Sequence, residues 1–212
     1  MQTLTEISLE KAVGGVFTRP EVACWIGGSP DRQFSLLKRA MAAGEVVRIQ
    51  RGLYCLAAKY LRQKIDPLVL AQRIYGPSYI SLETALSYHG WIPEAVYAVT
   101  STSLDRSREF ETPMGHFSFS RVPQKTFYAE VARVKKEDGG SFLLASPLKA
   151  LSDYVYVHKL DWRSARPVVE SLRVDESSLA AVDPASFDRL LGNYPALRVR
   201  RFLEGMRKDL IR

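Results

Sequence analysis

The spacing of apolar positions over residues 18–56 predicts two helices followed by a β-hairpin: it is three or four residues in the first part and two residues in the last part. Thr18 and Glu21 have the spacing of a capping box, in which each side chain bonds the backbone N–H of the other residue. Two glycines, at 27 and 28, then end the first helix, because glycine adopts the positive φ of a tight turn without strain. Ser29, followed by proline, starts the second helix as its N-cap. Two helices joined by so short a turn predict a helix-turn-helix.

The second predicted helix, residues 30–43, has two different faces. Phe34, Leu37 and Met41 are spaced three and four residues apart and are therefore expected to pack inward. The opposite face carries basic and hydroxyl side chains: Arg32, Ser35 and Arg39, flanked by Asp31 and Lys38. Such side chains suit the major groove of DNA, where arginine contacts guanine edges or phosphates and serine contacts either. An ordinary solvated helix face is the alternative interpretation.

Residues 45–56 favour the DNA-binding interpretation, because they predict a basic hairpin directly after this helix. Val47 and Ile49 alternate with Arg48 and Gln50, which gives a strand with one apolar and one polar face. A turn at Arg51 and Gly52 leads into the partner strand. A hairpin with arginines at its tip can lie along phosphates or in a minor groove, as the wing of a winged helix-turn-helix does.

The sequence therefore predicts a DNA-contacting surface within residues 18–51. Its expected members are Thr18, Arg19, Ser29, Arg32, Gln33, Ser35, Lys38, Arg39, Arg48, Gln50 and Arg51. Residues 1–13 predict a first helix, in which Leu4, Ile7 and Val13 would cover the other two. Together these elements form an expected winged helix-turn-helix domain over residues 1–58.

The remaining chain predicts a second domain over residues 65–212, so that the whole protein belongs to the α+β class. Residues 96–144 have the short alternating pattern of a small, mainly antiparallel sheet, and helical segments flank it. Ser146 and the proline after it start one of these helices. Basic residues in one loop and in the last helix could form a second contact patch, with solvated surface as the alternative: Arg106, Arg108, Arg198, Arg200 and Arg201.

Composition and charge agree with a globular protein that binds nucleic acid. The chain has 212 residues, 46% of them hydrophobic, and a formal net charge of +7. Cys24 and Cys55 lie in apolar patterns without a CxxC partner, so both are expected to be buried thiols in a reducing compartment. The sequence shows neither a long apolar run nor a charged-then-apolar leader, which predicts a cytoplasmic protein without a membrane partner.

An enzyme is the main competing class, and the sequence argues against it. A nuclease could use Glu83, Asp105 or Asp153 with Lys149, but two-metal chemistry needs carboxylates that converge. These acids are dispersed, and Lys149 and Asp153 have the spacing of an i,i+4 ion pair on a helix. The sequence also contains no GxSxG, no HExxH and no phosphate-binding glycine loop. We therefore expect no catalytic residue, metal or cofactor, and we expect His89 to serve as a cap or packing residue.

Four segments, taken in order, resemble the AbiEi-like type IV antitoxins, which are also transcriptional regulators. They are the winged helix, the wing end at residues 51–54, the stretch YISLETALSYHG at 79–90 and the stretch ASPLKALSD at 145–153. Members of this family often carry glutamate where this chain has Leu148. The resemblance implies that the N-terminal domain binds inverted repeats in its own promoter and represses its operon. It also implies that the C-terminal domain counters a nucleotidyltransferase-like toxin in an abortive-infection system.

Two alternatives to this regulator remain open from the sequence. The chain could be a protein- or RNA-interaction module that neutralises a toxin without specific DNA binding, or a nuclease. Dimerisation on DNA is possible, and a symmetric operator is expected if two copies bind half-sites about one helical turn apart.

Overall fold

The computed structural model describes residues 3–93, 97–137 and 139–211, and it divides the chain into two compact units. The first unit comprises the chain up to Ile74 together with Thr112–Met114; the second comprises Tyr75–Glu111 and the chain from Gly115 onward. Both contain helices and strands, which confirms the α+β class.

The first unit is a winged helix-turn-helix. Its elements are α1 (Leu4–Lys11), β1 (Val16–Thr18), α2 (Arg19–Ile26), α3 (Pro30–Ala42), β2 (Val46–Gln50), β3 (Leu53–Leu56) and α4 (Pro67–Ile74), with 3-10 turns at Val13–Gly15 and Ala58–Tyr60. The expected first helix is thus shorter than residues 1–13, of which residues 1 and 2 lie outside the described part. Leu4 is buried as expected, whereas Val13 is exposed because it lies beyond the end of α1.

A three-stranded antiparallel sheet in the order β1-β3-β2 forms the wing. The predicted hairpin is β2 and β3, and β1 adds a third strand that pairs Val16 with Cys55. The strand register shifts between Arg48 and Gln50, so Val46 and Ile49 are the buried residues of β2. The prediction placed Val47 and Ile49 on one apolar face, but Val47 is only half-buried while Ile49 is buried, because the irregular register breaks the simple alternation.

Apolar residues from α1, α2, α3 and the wing form the core of the first unit. They are Leu4, Phe17, Val22, Leu37, Ala40, Val46, Tyr54 and Leu56. The Phe17 ring lies 5.7 Å from Trp25 and 6.1 Å from Tyr54, centre to centre, so aromatic contacts join β1, α2 and β3. Cys55 is buried, and burial raises the pKa of its thiol to about 11. Cys24 is exposed, so the prediction that both thiols are buried is wrong for this residue.

Helix α4 lies in the first unit, although the sequence suggested a domain boundary between residues 58 and 65. The Arg73 guanidinium lies 2.9 Å from Glu21 of α2, and the Gln50 side-chain amide donates to the Ile74 carbonyl oxygen at 2.7 Å. These contacts hold α4 against the helix-turn-helix and the wing. The expected ranges, 1–58 and 65–212, stay a prediction about which segments fold separately.

The second unit contains a six-stranded sheet in the order β6-β7-β5-β4-β9-β8. The strands are β4 (Ser78–Ile80), β5 (Ala98–Ser103), β6 (Arg108–Thr112), β7 (Gly115–Arg121), β8 (Val131–Lys135) and β9 (Ser141–Ala145). Val96, where the sequence placed the start of one strand, lies outside the described residues. The sheet is mixed, since β4–β5 and β8–β9 are antiparallel while β4–β9 and β5–β7 are parallel. The parallel pairs join distant segments and could not be anticipated from local hairpin patterns.

Helices make up most of the rest of the second unit. They are α5 (Leu82–Tyr88), α6 (Pro147–Val157), α7 (Arg166–Leu172), α8 (Glu176–Ala180), α9 (Pro184–Leu191) and α10 (Leu197–Leu210). Ser146 caps α6 as predicted, because its hydroxyl accepts the Lys149 N–H. His89 is the C-cap residue of α5, and its Nε2 lies 2.9 Å from the Ala145 carbonyl oxygen, an arrangement that suits packing.

Candidate nucleic-acid interface

Helix α3 presents a polar face to solvent, and its start is held by the side chain of Ser29. The Ser29 hydroxyl accepts the Arg32 backbone N–H at 3.3 Å, so the first turn is capped as predicted. Leu37 and Ala40 are buried on the inner side. The exposed side carries Asp31, Arg32, Ser35, Lys38 and Arg39. This is the side on which the sequence placed the basic and hydroxyl residues.

Gln33, one of the residues expected to contact DNA, instead stabilises the turn before α3. Gly27 and Gly28 have φ values of 63° and 76°, the left-handed conformation that glycine accepts most easily. The Gln33 side-chain amide donates to the carbonyl oxygens of both glycines, at 3.4 and 3.2 Å. Gln33 therefore closes the turn, and in this geometry its N–H groups are directed to the protein backbone.

Phe34 lies on the outside of α3, with 54% of its surface exposed. The expectation that it packs inward with Leu37 and Met41 is wrong. At about 100° per residue, Phe34 lies near the edge of a buried face centred on Leu37 and Ala40, and the described residues of the first unit leave more than half of it uncovered. The aromatic ring is thus part of the surface that carries Ser35 and Lys38.

The wing carries two exposed arginines, Arg48 on β2 and Arg51 in the turn. Gly52 completes the turn with φ 84°, and its carbonyl oxygen accepts the Arg19 backbone N–H at 3.0 Å. This bond ties the start of α2 to the tip of the wing and leaves the Arg19 side chain exposed. Gln50, by contrast, is half-buried, and its amide is occupied by the Ile74 carbonyl oxygen.

Thr18 and Glu21 form the predicted capping box, and Arg73 extends it. The Glu21 carboxylate accepts the Thr18 backbone N–H at 2.6 Å and the Thr18 hydroxyl at 2.7 Å, and Arg73 lies 2.9 Å away. Burial raises the pKa of Glu21, but the two bonds from Thr18 and the charge of Arg73 together outweigh it and leave the pKa below its ordinary value. Thr18 is therefore engaged in starting α2.

The exposed cations of this surface differ from a group of arginines in the second unit that pair with acids. Within the described residues, no carboxylate lies within ion-pair distance of Arg19, Lys38, Arg39, Arg48 or Arg51. In the second unit, by comparison, Arg163, Arg166, Arg189 and Arg207 each pair with an aspartate or glutamate. Cations that no described carboxylate neutralises keep their charge available for phosphates.

The second predicted basic patch is only partly assembled in the second unit. Arg106, Arg200 and Arg201 are exposed, and the Arg108 guanidinium lies 5.8 Å from the centre of the Tyr75 ring. Arg198 lines a cleft of about 270 Å³ whose other walls come from three further segments of the chain. The residues that line this cleft are Ser107, Ser120, Arg121, Tyr156, Val157, Lys159 and Arg198. The loop that contains Ser107 and the last helix, α10, thus meet at a basic cleft. Arg121 and Lys159 also line this cleft and were not predicted from the sequence.

The acids considered for a nuclease lie in different surroundings. Glu83 pairs with His158 at 2.9 Å, and Asp105 lies in an exposed loop. Asp153 is fully buried and lies 3.7 Å from the Lys149 ammonium, as the i,i+4 spacing predicted. Across residues 3–93, 97–137 and 139–211, no three metal-binding side chains come close enough together to hold an ion.

Asp153 is the centre of a buried polar cluster that was not predicted from the sequence. Its Oδ2 accepts the hydroxyls of Tyr79, Ser81 and Thr102 at 2.7 to 3.1 Å, and its Oδ1 accepts the Tyr194 hydroxyl at 2.6 Å. Burial, together with the negative charge of Asp153, raises the pKa of both tyrosines well above the ordinary value. The signal available in the sequence was the position of Tyr79 and Ser81, two residues apart around a strand end, where both point the same way.

Lys149 is the cation of this cluster and is also fully buried. Its ammonium donates to the Tyr194 hydroxyl at 2.9 Å and to the Gln124 side-chain oxygen. Burial lowers the pKa of Lys149, and the charge of Asp153 opposes this effect. Every charged atom here has partners within the protein, so the cluster is suited to holding α6 and the sheet together.

Comparison with known proteins supports the regulator interpretation of the first unit. Residues 6–57 match the model of a family described as "Transcriptional regulator, AbiEi antitoxin". This match covers the helix-turn-helix and the wing, and it confirms the AbiEi resemblance that the sequence predicted. No curated protein matches the chain. Among the described helices, none is long and apolar enough to cross a membrane.

Proposed function

We propose that the chain is a cytoplasmic, sequence-specific DNA-binding regulator and the antitoxin of a type IV toxin–antitoxin operon. It would bind inverted repeats in its own promoter and repress the operon, and it would counter a nucleotidyltransferase-like toxin. The observation that carries this proposal is that Lys38, Arg39, Arg48 and Arg51, exposed on α3 and the wing, have no ion-paired carboxylate among the described residues. The match of residues 6–57 to a regulator family supports it.

In the proposed complex, the exposed side of α3 enters the major groove and the wing follows the phosphate backbone. Arg32, Ser35 and Arg39 contact base edges, while Arg48 and Arg51 contact phosphates. Arg19 and Lys38 add to the phosphate contacts. Thr18, Ser29, Gln33 and Gln50 act indirectly in this arrangement, because their side chains hold the helix starts, the turn and α4 in place.

A binding titration tests the proposal. The purified protein is titrated with the DNA upstream of its own gene and with a scrambled duplex of equal length, at two salt concentrations. We expect tighter binding to the upstream DNA and affinity that falls as salt rises, because bound cations release counterions from the phosphates. Equal affinity for both duplexes, or wild-type binding by an Arg32→Ala/Arg51→Ala double variant, would contradict the proposal.

A second function, as a protein- or RNA-interaction module, is favoured by the basic cleft of the second unit. Arg121, Lys159 and Arg198 line it, and none of the three has an ion-paired acid among the described residues. If the cleft takes part in toxin neutralisation, Arg121→Ala/Arg198→Ala should lose neutralisation in cells and keep promoter binding. Arg166→Ala is the matched control, because Arg166 is already paired with Glu170 at 2.6 Å. Wild-type neutralisation by the cleft variant would argue against this role.

A further inference from the structure

The outer face of α3 contains one large apolar side chain among polar ones. Phe34 is 54% exposed and lies beside Ser35 and one helical turn before Lys38. Its other neighbour on this surface, Asp31, is also exposed. A single exposed apolar residue is common on protein surfaces and needs no explanation by itself. Phe34 needs an explanation because it lies on the helix face that is proposed to enter the major groove.

We propose that Phe34 recognises thymine through the methyl group on carbon 5 of the base. This inference rests on the proposed function, since it assigns a role within the same DNA-contacting face. In the major groove, thymine presents a methyl group that cytosine and uracil lack, and apolar side chains such as phenylalanine pack against it. The phenyl ring has no hydrogen-bonding group, so it cannot select guanine or adenine by their polar edges.

The geometry of α3 gives the face two kinds of contact. At about 100° per residue, Ser35 lies near the middle of the exposed side, with Phe34 and Lys38 towards one edge and Arg32 and Arg39 towards the other. The arginines supply hydrogen bonds to polar base edges or phosphates, and Phe34 supplies an apolar surface. A site read in this way would contain thymine at a fixed distance from the bases that the arginines contact.

The experiment replaces the methyl group instead of the base pair. Duplexes that bind the wild-type protein are selected from a random pool, and each conserved thymine is then exchanged for uracil, which pairs identically. At one or two positions we expect uracil to weaken wild-type binding by about fourfold, which corresponds to about 0.8 kcal/mol, the free energy of burying one methyl-sized group. Phe34→Ala should bind the thymine and uracil duplexes equally.

Two variants serve as controls. Phe34→Leu keeps an apolar side chain and should retain part of the preference for thymine. Tyr88→Ala removes a comparably exposed aromatic residue, 48% exposed, from the second unit and should keep the full preference. Since Phe34 is exposed, its variants should unfold at the same denaturant concentration as the wild-type protein.

Each outcome decides the inference. Uracil tolerated by the wild-type protein at every conserved thymine, or an equal uracil penalty in Phe34→Ala, would overturn the role of Phe34 and leave the regulator intact. The same holds if Phe34→Ala only dissociates a dimer in sedimentation and keeps the uracil penalty, which would assign the ring to a contact between copies. Selection that enriches no sequence would overturn the proposed function together with this inference.

Discussion

Helices α3 and α6 begin in the same way and serve opposite purposes. Both start with serine as N-cap and proline as the first helical residue, and both carry lysine and hydroxyl side chains within the next three turns. Lys38 of α3 is exposed, whereas Lys149 of α6 is fully buried and bonded. The difference teaches that identical local signals start a helix, while the surroundings of each charge decide whether it binds a partner molecule or stabilises the fold.

The surroundings differ because of what lies opposite each charge. On α3, the side of Ser35 and Lys38 faces solvent, and the cations keep their charge available. On α6, Asp153 accepts four hydroxyls, from Tyr79 and Thr102 of the sheet, from Ser81 before α5 and from Tyr194. A buried carboxylate with such partners is tolerated. If the carboxylate is removed, the hydroxyls and the Lys149 ammonium stay buried without their acceptor, which destabilises the fold.

Asp153→Ala is the variant expected to have the largest effect. It removes the acceptor of four hydroxyls and the counter-ion of Lys149, so we expect the free energy of unfolding to fall by roughly 3–5 kcal/mol. Urea unfolding followed by circular dichroism measures it. Asp105→Ala, an exposed aspartate in the same unit, is the control and should change stability by less than about 0.5 kcal/mol. A similarly small loss in Asp153→Ala would show that the buried cluster does not stabilise the fold as described.

Arg32→Ala and Arg51→Ala should affect DNA binding more strongly than stability, because both side chains are exposed. Arg32→Ala is expected to weaken binding to the selected site by roughly 1–3 kcal/mol and to relax base preference. Arg51→Ala should weaken binding to all sequences alike and lower the slope of affinity against salt by about one. Titrations with specific and scrambled duplexes distinguish the two patterns. If both variants lose base preference equally, helix and wing do not divide their roles as proposed.

Thr18→Ala should lower the stability of the first unit by about 1 kcal/mol, because it removes the N-cap of α2. Thr18→Ser keeps the hydroxyl that accepts the Glu21 N–H and should recover most of the loss. Chemical denaturation of the two variants gives the comparison. Equal stability of the alanine variant and the wild-type protein would mean that the cap contributes little beside the contacts of α4.

The smallest expected effect is a pH dependence carried by Glu21. Its pKa in the folded protein lies below the ordinary value of 4.5, so the folded state favours the ionised form. The resulting stability is complete above 4.5 and is lost as the pH falls below that value through the folded pKa. The free energy of unfolding, measured from neutral to acidic pH, should therefore decrease less steeply for Glu21→Gln than for the wild-type protein. Because the carboxylate is 42% exposed, we expect the difference to be under about 1 kcal/mol.

The helix-turn-helix could be predicted from sequence because its signals are local. The capping box at Thr18, the two glycines and the Ser29 cap all act within a few residues; both caps have the predicted partners, and both glycines have the predicted positive φ. The exposed positions of α3 follow from the same periodicity, with Phe34 as the exception. Its spacing is compatible with the buried face, but whether an edge position is covered depends on neighbours that the periodicity of one helix does not specify.

What could not be predicted depends on contacts between distant segments. Strand β1 has only three residues, and its partner β3 begins at Leu53. The amide of Gln50 bonds to a carbonyl oxygen 24 residues away, so a side chain expected to contact DNA holds α4 instead. The donors around Asp153 come from segments more than 100 residues apart, Tyr79 and Tyr194. The spacing of Tyr79 and Ser81 indicates two side chains on one side of the chain, but no local pattern identifies Asp153 or Tyr194 as their partners.

The separation of roles within α3 has a consequence for how binding preference can change over time or be engineered. The fold depends on the inner side, chiefly Leu37 and Ala40, whereas the outer side makes few contacts within the protein. Substitutions at outer positions such as 31, 34, 35 and 38 should therefore be nearly neutral for stability. A library randomised at these four positions would stay folded and could be screened for new operators, so that related regulators can diverge in target without passing through unfolded intermediates.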